Sequence, residues 1–192
     1  MDILLSVSRS DAKCRLFNKG LLEYAIKNLK INHKIYIYAP KVDLSVYSDD
    51  VTEISAKSEM EALADFSCGR DNFMFISRLA LCNINFENLA KYHINHDKSI
   101  TVVSKNFVKD KTIPIYKLNE NKEVVSVTRK RFADCGIYLF KSGIQFDGHK
   151  NIFSVIFDAI DNKQVKGFVH KGYWCTSYNV RRRNNGQSFN AN

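Results

Sequence analysis

Across the first hundred residues, short runs of β-forming residues alternate with segments of helical period, an order that few folds accommodate. Ile3-Leu4-Leu5-Ser6-Val7 reads as a short buried strand. Residues 8–19 are polar and irregular. Leu21, Leu22, Ala25, Ile26 and Leu29 then recur at helical spacing, with Glu23, Lys27, Asn28 and Lys30 on the other side. Residues 34–39 are rich in β formers and stop at Pro40. Strand, helix and strand in this order predict a right-handed βαβ unit in a parallel sheet.

The order continues. Residues 51–55 read as a strand, and Ser58 as the N-cap of a helix reaching about Phe66, with Glu59 and Glu61 in its first turn. Phe73-Met74-Phe75-Ile76 is a continuous apolar run, the pattern of a central parallel strand. Asn85 is placed to cap a helix over residues 86–96, and Ile100-Thr101-Val102-Val103 follows as a strand. The expected fold class is α/β, a doubly wound, mostly parallel or mixed sheet of Rossmann-like type. The second half differs. Residues 113–118, 123–128 and 136–140 are short strand-like segments with polar breaks, suggesting a mixed or antiparallel extension. Residues 152–160 have helical period, and residues 165–170 read as one more strand. With no internal repeat or Pro- or Ser-rich linker, the expected organisation is one domain over residues 1–180 and a polar tail over 181–192.

Composition narrows the classes. The chain is 45% hydrophobic and 12% aromatic, enough for a real core. Its formal charge of +9 comes mostly from scattered lysines, a pattern usual for a solvated surface. The dense basic runs are Arg129-Lys130-Arg131 and Arg181-Arg182-Arg183. They leave a polyanion- or nucleic-acid-binding module as an alternative, although no nucleic-acid motif accompanies them. Five cysteines, widely spaced and without a C-x-x-C pair, argue against a disulfide framework and a structural zinc site. Residues 1–8 do not form a signal peptide, and no apolar run approaches the ~18 residues of a membrane span. A reducing, cytoplasmic setting without membrane contact is expected.

Phosphate-binding glycines are missing. No G-x-x-x-x-G-K-[ST] is present, and no G-x-G-x-x-G follows the first strand. The first strand–helix turn, where backbone N–H groups usually cradle phosphate, reads Ser6-Val7-Ser8-Arg9-Ser10-Asp11-Ala12-Lys13. Side chains there hinder close backbone approach. His93 and His96 lie three apart on a helix without a third metal ligand nearby, so the favoured reading is a favourable contact with the helix C-terminus. Asp158 and Asp161 read as a solvated face, and Cys82 and Cys135 as buried small hydrophobes without a base to activate them.

Three stretches in order resemble the nucleotide-sugar pyrophosphorylases. Residues 73–103 (FMFISRLALCNINFENLAKYHINHDKSITVV) are similar to their central strand, Gly-Asp turn, helix and Thr-Val strand. Asp134-Cys135-Gly136-Ile137-Tyr138-Leu139-Phe140 resembles their G-I-Y strand. GFVHKGYWCT at residues 167–176 resembles their Gly-Tyr-Trp turn, and Ser188-Phe189-Asn190-Ala191-Asn192 their closing Ser-Tyr-x-x-Asn. The resemblance implies nucleotide- or sugar-phosphate-binding candidates at Ser8, Ser77, Leu79, Asp134, Gly136, Trp174 and Thr176. Those enzymes hold a divalent metal between two aspartates. Here the corresponding positions are Leu79, with Arg78 at the turn glycine, and Thr176. Leucine cannot ligate a hard cation. The glycine signature and the Glu-Lys-Pro sugar motif are absent as well. The pattern is most like the non-catalytic, GlgD-type subunit of glucose-1-phosphate adenylyltransferase, truncated before its β-helix domain. It implies no catalytic residues and no cofactor, Mg²⁺ being needed only if the site is active. The implied partner is a catalytic pyrophosphorylase subunit or a second copy, in glycogen or storage-polysaccharide synthesis. The alternative is an active sugar-phosphate nucleotidyltransferase with displaced carboxylates at Asp71 or Asp134.

Overall fold

The computed structural model describes residues 1–16, 19–29, 33–106, 115–128 and 132–176. Both arginine runs, the closing Ser188 motif and the tail fall entirely outside the described residues.

In chain order the elements begin with β1 (Asp2–Ser6), α1 (Arg9–Ala12), β2 (Arg15–Leu16), β3 (Lys19–Gly20), α2 (Leu21–Leu29), β4 (Ile35–Tyr38) and β5 (Thr52–Glu53). There follow α3 (Glu59–Ser67), β6 (Asn72–Ile76), β7 (Ala80–Cys82), α4 (Phe86–Ile94) and β8 (Ile100–Asn106). The chain continues with β9 (Ile115–Leu118), β10 (Val124–Thr128), β11 (Phe132–Lys141), α5 (Ile152–Asp161), β12 (Val165–His170) and β13 (Trp174–Thr176). Local chemistry sets several boundaries. Ser58, Asn85 and Asn151 accept from the backbone N–H three residues on and start α3, α4 and α5. Ser8 does the same for α1, so the irregular stretch expected after β1 contains one capped turn and the β2–β3 ribbon.

Across the sheet the strands run β5-β4-β1-β6-β11-β8-β12. β1 pairs in parallel with β4 and with β6, as the βαβ reading requires. β11 is antiparallel to both β6 and β8, so the strand after α4 lies one place further out than a wholly parallel sheet would put it. The β9–β10 hairpin attaches to the start of β11. The chain winds one way from β1 to β4 and β5, then the other way to β6, which makes the carboxyl ends of β1 and β6 a topological switch point.

Two apolar layers hold the helices. Ile3, Leu5, Ile37, Met74 and Leu139 pack with Leu22 and Ile26 of α2 and Leu89 of α4. Leu4, Phe73, Phe75, Val102 and Phe140 pack with Leu63 and Phe66 of α3 and Val155 and Ile156 of α5. Successive residues of β1 and β6 therefore serve opposite cores, which is why their sequences show no polar alternation. The sequence does not disclose the β7–β13 ribbon, in which Trp174 faces Cys82 and Thr176 faces Ala80. That pairing joins segments ninety residues apart and has no local signature. No helix among the described residues is long and apolar enough to cross a membrane.

Candidate functional site

At the carboxyl edge, the face covered by α3 and α5 changes from apolar to polar. Side chains two apart on a strand share a face. Leu4 is followed two residues on by Ser6, Phe75 by Ser77, and Val102 by Ser104. Register aligns them: Leu5 pairs with Ile76, so Ser6 lies beside Ser77, while Ser104 lies opposite Asp134.

Asp134 is the centre of this row. It is 0% exposed and accepts from the Tyr116 hydroxyl at 2.5 Å, the Tyr138 hydroxyl at 2.7 Å and the Gly136 N–H. Burial pushes its carboxyl above the ordinary range, against the pull of those three donors and of the nearby Arg78 charge. Burial likewise holds both phenols well above their usual range, so they stay protonated donors. Gly136 has φ +70°, and a Cβ there would lie 2.6 Å from the Arg78 Cβ. Only glycine lets β11 pass so close to the turn after β6. The Ser77 N–H donates to the Gly136 carbonyl at 2.9 Å and fixes that approach. At the other end of the row, the Ser6 hydroxyl donates to Glu59 Oε2 at 2.5 Å, and burial raises the Glu59 carboxyl. The Ser104 hydroxyl is fully buried and has no hydrogen-bond partner among the described residues.

The opposite face is sealed. Leu79 is 1% exposed and packs in the core with Ile84, Cys135, Trp174 and Cys175. Its side chain offers no polar atom to a ligand. Thr176 is 2% exposed, paired in the ribbon against Ala80. Trp174 is buried, and its Nε1–H lacks a partner among the described residues. Ser8 is exposed and caps α1, also donating to Asp11 Oδ2 at 2.7 Å. Of the seven candidates the fold thus brings Ser77, Asp134 and Gly136 together on the polar face. It gathers Leu79, Trp174 and Thr176 on the sealed one and leaves Ser8 at the end of β1.

The residues do not fit a divalent cation. Among the described residues no group of three His, Cys, Asp or Glu side chains is placed to hold a metal. Leu79 and Thr176, at which the resemblance implies metal carboxylates, are buried, and the oxygens of Asp134 are already engaged. Asp71 stands before β6 and Asp134 beyond its far end, about 16 Å of strand apart, so they cannot share one ion. Burial raises the Cys82 and Cys135 thiols, which disfavours a thiolate nucleophile.

The histidines differ from expectation. His93 is buried and His96 half-buried, and both bond the Thr101 hydroxyl, His93 Nδ1 at 2.8 Å and His96 Nε2 at 2.7 Å. Burial, with the Lys141 charge, lowers both to about 4. They are neutral near pH 7 and so are not cationic partners of the helix end. The Lys98 N–H donates to His96 Nδ1, leaving His96 Nε2–H to donate to Thr101.

Sequence reasoning missed Ser6, Glu59, Tyr116 and Ser104. The usable signal was a serine two places after a core residue in three separate strands.

No family model matches the sequence, and no curated protein matches it. Solved structures do. A protein assigned as a glucose-1-phosphate thymidylyltransferase of Bacillus anthracis is 14% identical, with 100% of this chain and 97% of that one covered at a TM-score of 0.71. HddC of Yersinia pseudotuberculosis is 13% identical over 95% and 99%, at 0.66. A CMP:2-keto-3-deoxy-manno-octonic acid synthetase complexed with CTP is 9% identical over 91% and 90%, at 0.67. Likeness of this extent at such low identity speaks for architecture: the chain has the Rossmann-like α/β fold of the nucleotidyltransferases.

Proposed function

We propose that this chain is a sugar-nucleotidyltransferase-like protein that no longer performs the transfer. It acts as a non-catalytic or regulatory subunit, similar to that of glucose-1-phosphate adenylyltransferase, in glycogen or storage-polysaccharide synthesis. The carrying observation is that the two positions at which the resemblance implies metal carboxylates hold a leucine 1% exposed in the core and a threonine 2% exposed in a ribbon. A family that stabilises the charge of phosphoryl transfer with a metal loses that stabilisation when both ligands become core. The fold neighbours support the nucleotidyltransferase part, one of them having been solved with CTP. The ordered motifs support the subunit part.

Co-purification from source cells is the test. A tagged chain is expected to recover a catalytic pyrophosphorylase subunit and to change that subunit's KM or its response to effectors. Recovery of no pyrophosphorylase subunit, together with unchanged kinetics on mixing, overturns the subunit role.

A further inference from the structure

Arg78 occupies the turn that leaves β6, at the switch point, where the resembling enzymes carry glycine. Its side chain is half-buried and forms no hydrogen bond or ion pair with any described residue. A guanidinium is always charged and carries five donors in a planar fork. Keeping such a group partly out of water with none of its donors matched is costly, so the position asks for an anion.

Among the described residues no carboxylate pairs with it. Asp134 is near enough to feel the Arg78 charge, yet its oxygens are taken by Tyr116, Tyr138 and the Gly136 N–H. Close passage of Gly136 against the Arg78 Cβ fixes where the side chain begins. A second cation stands on the same edge: Lys105, at the end of β8, donates to the Gly172 carbonyl at 2.5 Å. The charges of both Lys105 and Arg78 bear on Cys135, which sits between them on β11. Among the described residues no group of three metal-ligating side chains stands here, and the Asp134 and Glu59 carboxyls on this edge are held by hydroxyl donors.

We propose that the switch-point crevice takes a phosphorylated ligand directly on the Arg78 guanidinium, without a divalent cation. This rests on the nucleotidyltransferase-like reading above. It adds that the loss of the metal site was accompanied by a charged side chain that serves recognition in its place. Planar, two-pronged hydrogen bonding to phosphate oxygens is the geometry a guanidinium offers. It binds and orients a phosphate but does not activate a leaving group as a metal does.

Calorimetry on the full chain tests the proposal. ATP, glucose-1-phosphate and inorganic pyrophosphate are titrated separately, each with excess Mg²⁺ and with EDTA; the ligand that binds shows whether nucleotide, sugar phosphate or bare phosphate is recognised. At least one is expected to bind with a Kd that changes less than about threefold between the two conditions. Arg78→Gln is expected to weaken it about 10- to 100-fold, with Arg78→Lys between. Since Arg78 has no hydrogen-bond or ion-pair partner among the described residues, neither variant is expected to lower the unfolding midpoint of the parent. Binding that requires Mg²⁺, or that is unchanged in Arg78→Gln, overturns the proposal and leaves the nucleotidyltransferase-like reading in place. Absence of binding by the unaltered chain in both conditions overturns this proposal and the ligand-binding part of that reading together.

Discussion

On the face covered by α2 and α4, the carboxyl edge of the sheet is hydrocarbon: Leu79, Ile84, Trp174 and Cys175 close over the end of β6. On the face covered by α3 and α5, the same edge carries Ser6, Glu59, Ser77, Asp134, Tyr138, Tyr116 and Ser104. Both faces rest on apolar strand residues, mainly aliphatic toward α2 and α4 and rich in aromatics toward α3 and α5, and they diverge in polarity at the carboxyl edge. A sealed face contributes stability. The polar face costs stability, because it buries a carboxyl group and an unpartnered hydroxyl. A fold retains such a cost where something is recognised, and Leu79 and Thr176, at which the resemblance implies metal carboxylates, lie off the polar face.

The comparison breaks most readily at Leu79. Leu79→Asp restores the carboxylate type but inserts a charge into the core, in place of a buried leucine. The expected loss exceeds about 5 kcal/mol, enough to abolish cooperative unfolding in urea. A well-folded variant that binds Mn²⁺ would mean that the face is not sealed.

Asp134→Ala probes the polar face. It strands two buried phenols and one amide, and the expected cost is about 3–5 kcal/mol by chemical denaturation. Asp134→Asn keeps an acceptor and should lose less than half of that. Equal losses for both variants would show that hydrogen bonding does not hold the row together.

Acid separates the histidine cluster from both faces. His93 is neutral in the fold with its pKa lowered from 6.5 to about 4, so the unfolded chain binds the extra proton between those values. Stability carried by His93 is therefore complete above pH 6.5 and is lost as pH falls toward 4, by roughly 3 kcal/mol. His96 adds less because it is half-exposed. Asp134 and Glu59 act in the opposite sense, since their acid forms are favoured in the fold. The difference between the unaltered chain and His93→Gln, measured by urea unfolding at several pH values, isolates the histidine part. A pH-independent difference would sink the assignment of a neutral buried His93.

The smallest expected effect is at Glu59. Removing a half-buried, desolvated carboxylate by Glu59→Gln should change stability by less than about 0.5 kcal/mol at pH 7. A loss of 2 kcal/mol or more, on the order of a charge-assisted hydrogen bond, would show that Ser6 and Glu59 are structural.

Most of the architecture was legible in local pattern. Amphipathic α2, capped α3 and α4, and apolar β1 and β6 are each encoded within a dozen residues. Long-range choices were not. Whether β8 pairs with β6 or with β11 depends on strands separated by many residues, and the β7–β13 ribbon depends on two segments distant in sequence meeting. Part of the site was legible through the motif around Gly136, whose φ of +70° and close passage against Arg78 require glycine. The faces were not: Ser77 and Leu79 are two residues apart, a spacing that shares a face on a strand, yet the turn after β6 sends Ser77 to the polar row and Leu79 to the core.

The central claim is that the fold persists without metal-assisted transfer. Release of pyrophosphate from each common nucleoside triphosphate, with sugar 1-phosphates and with Mg²⁺ or Mn²⁺, tests it most directly. The expected result is a rate indistinguishable from the protein-free control for every pair. Turnover that needs the cation, stops on addition of EDTA and follows the protein through purification would contradict it.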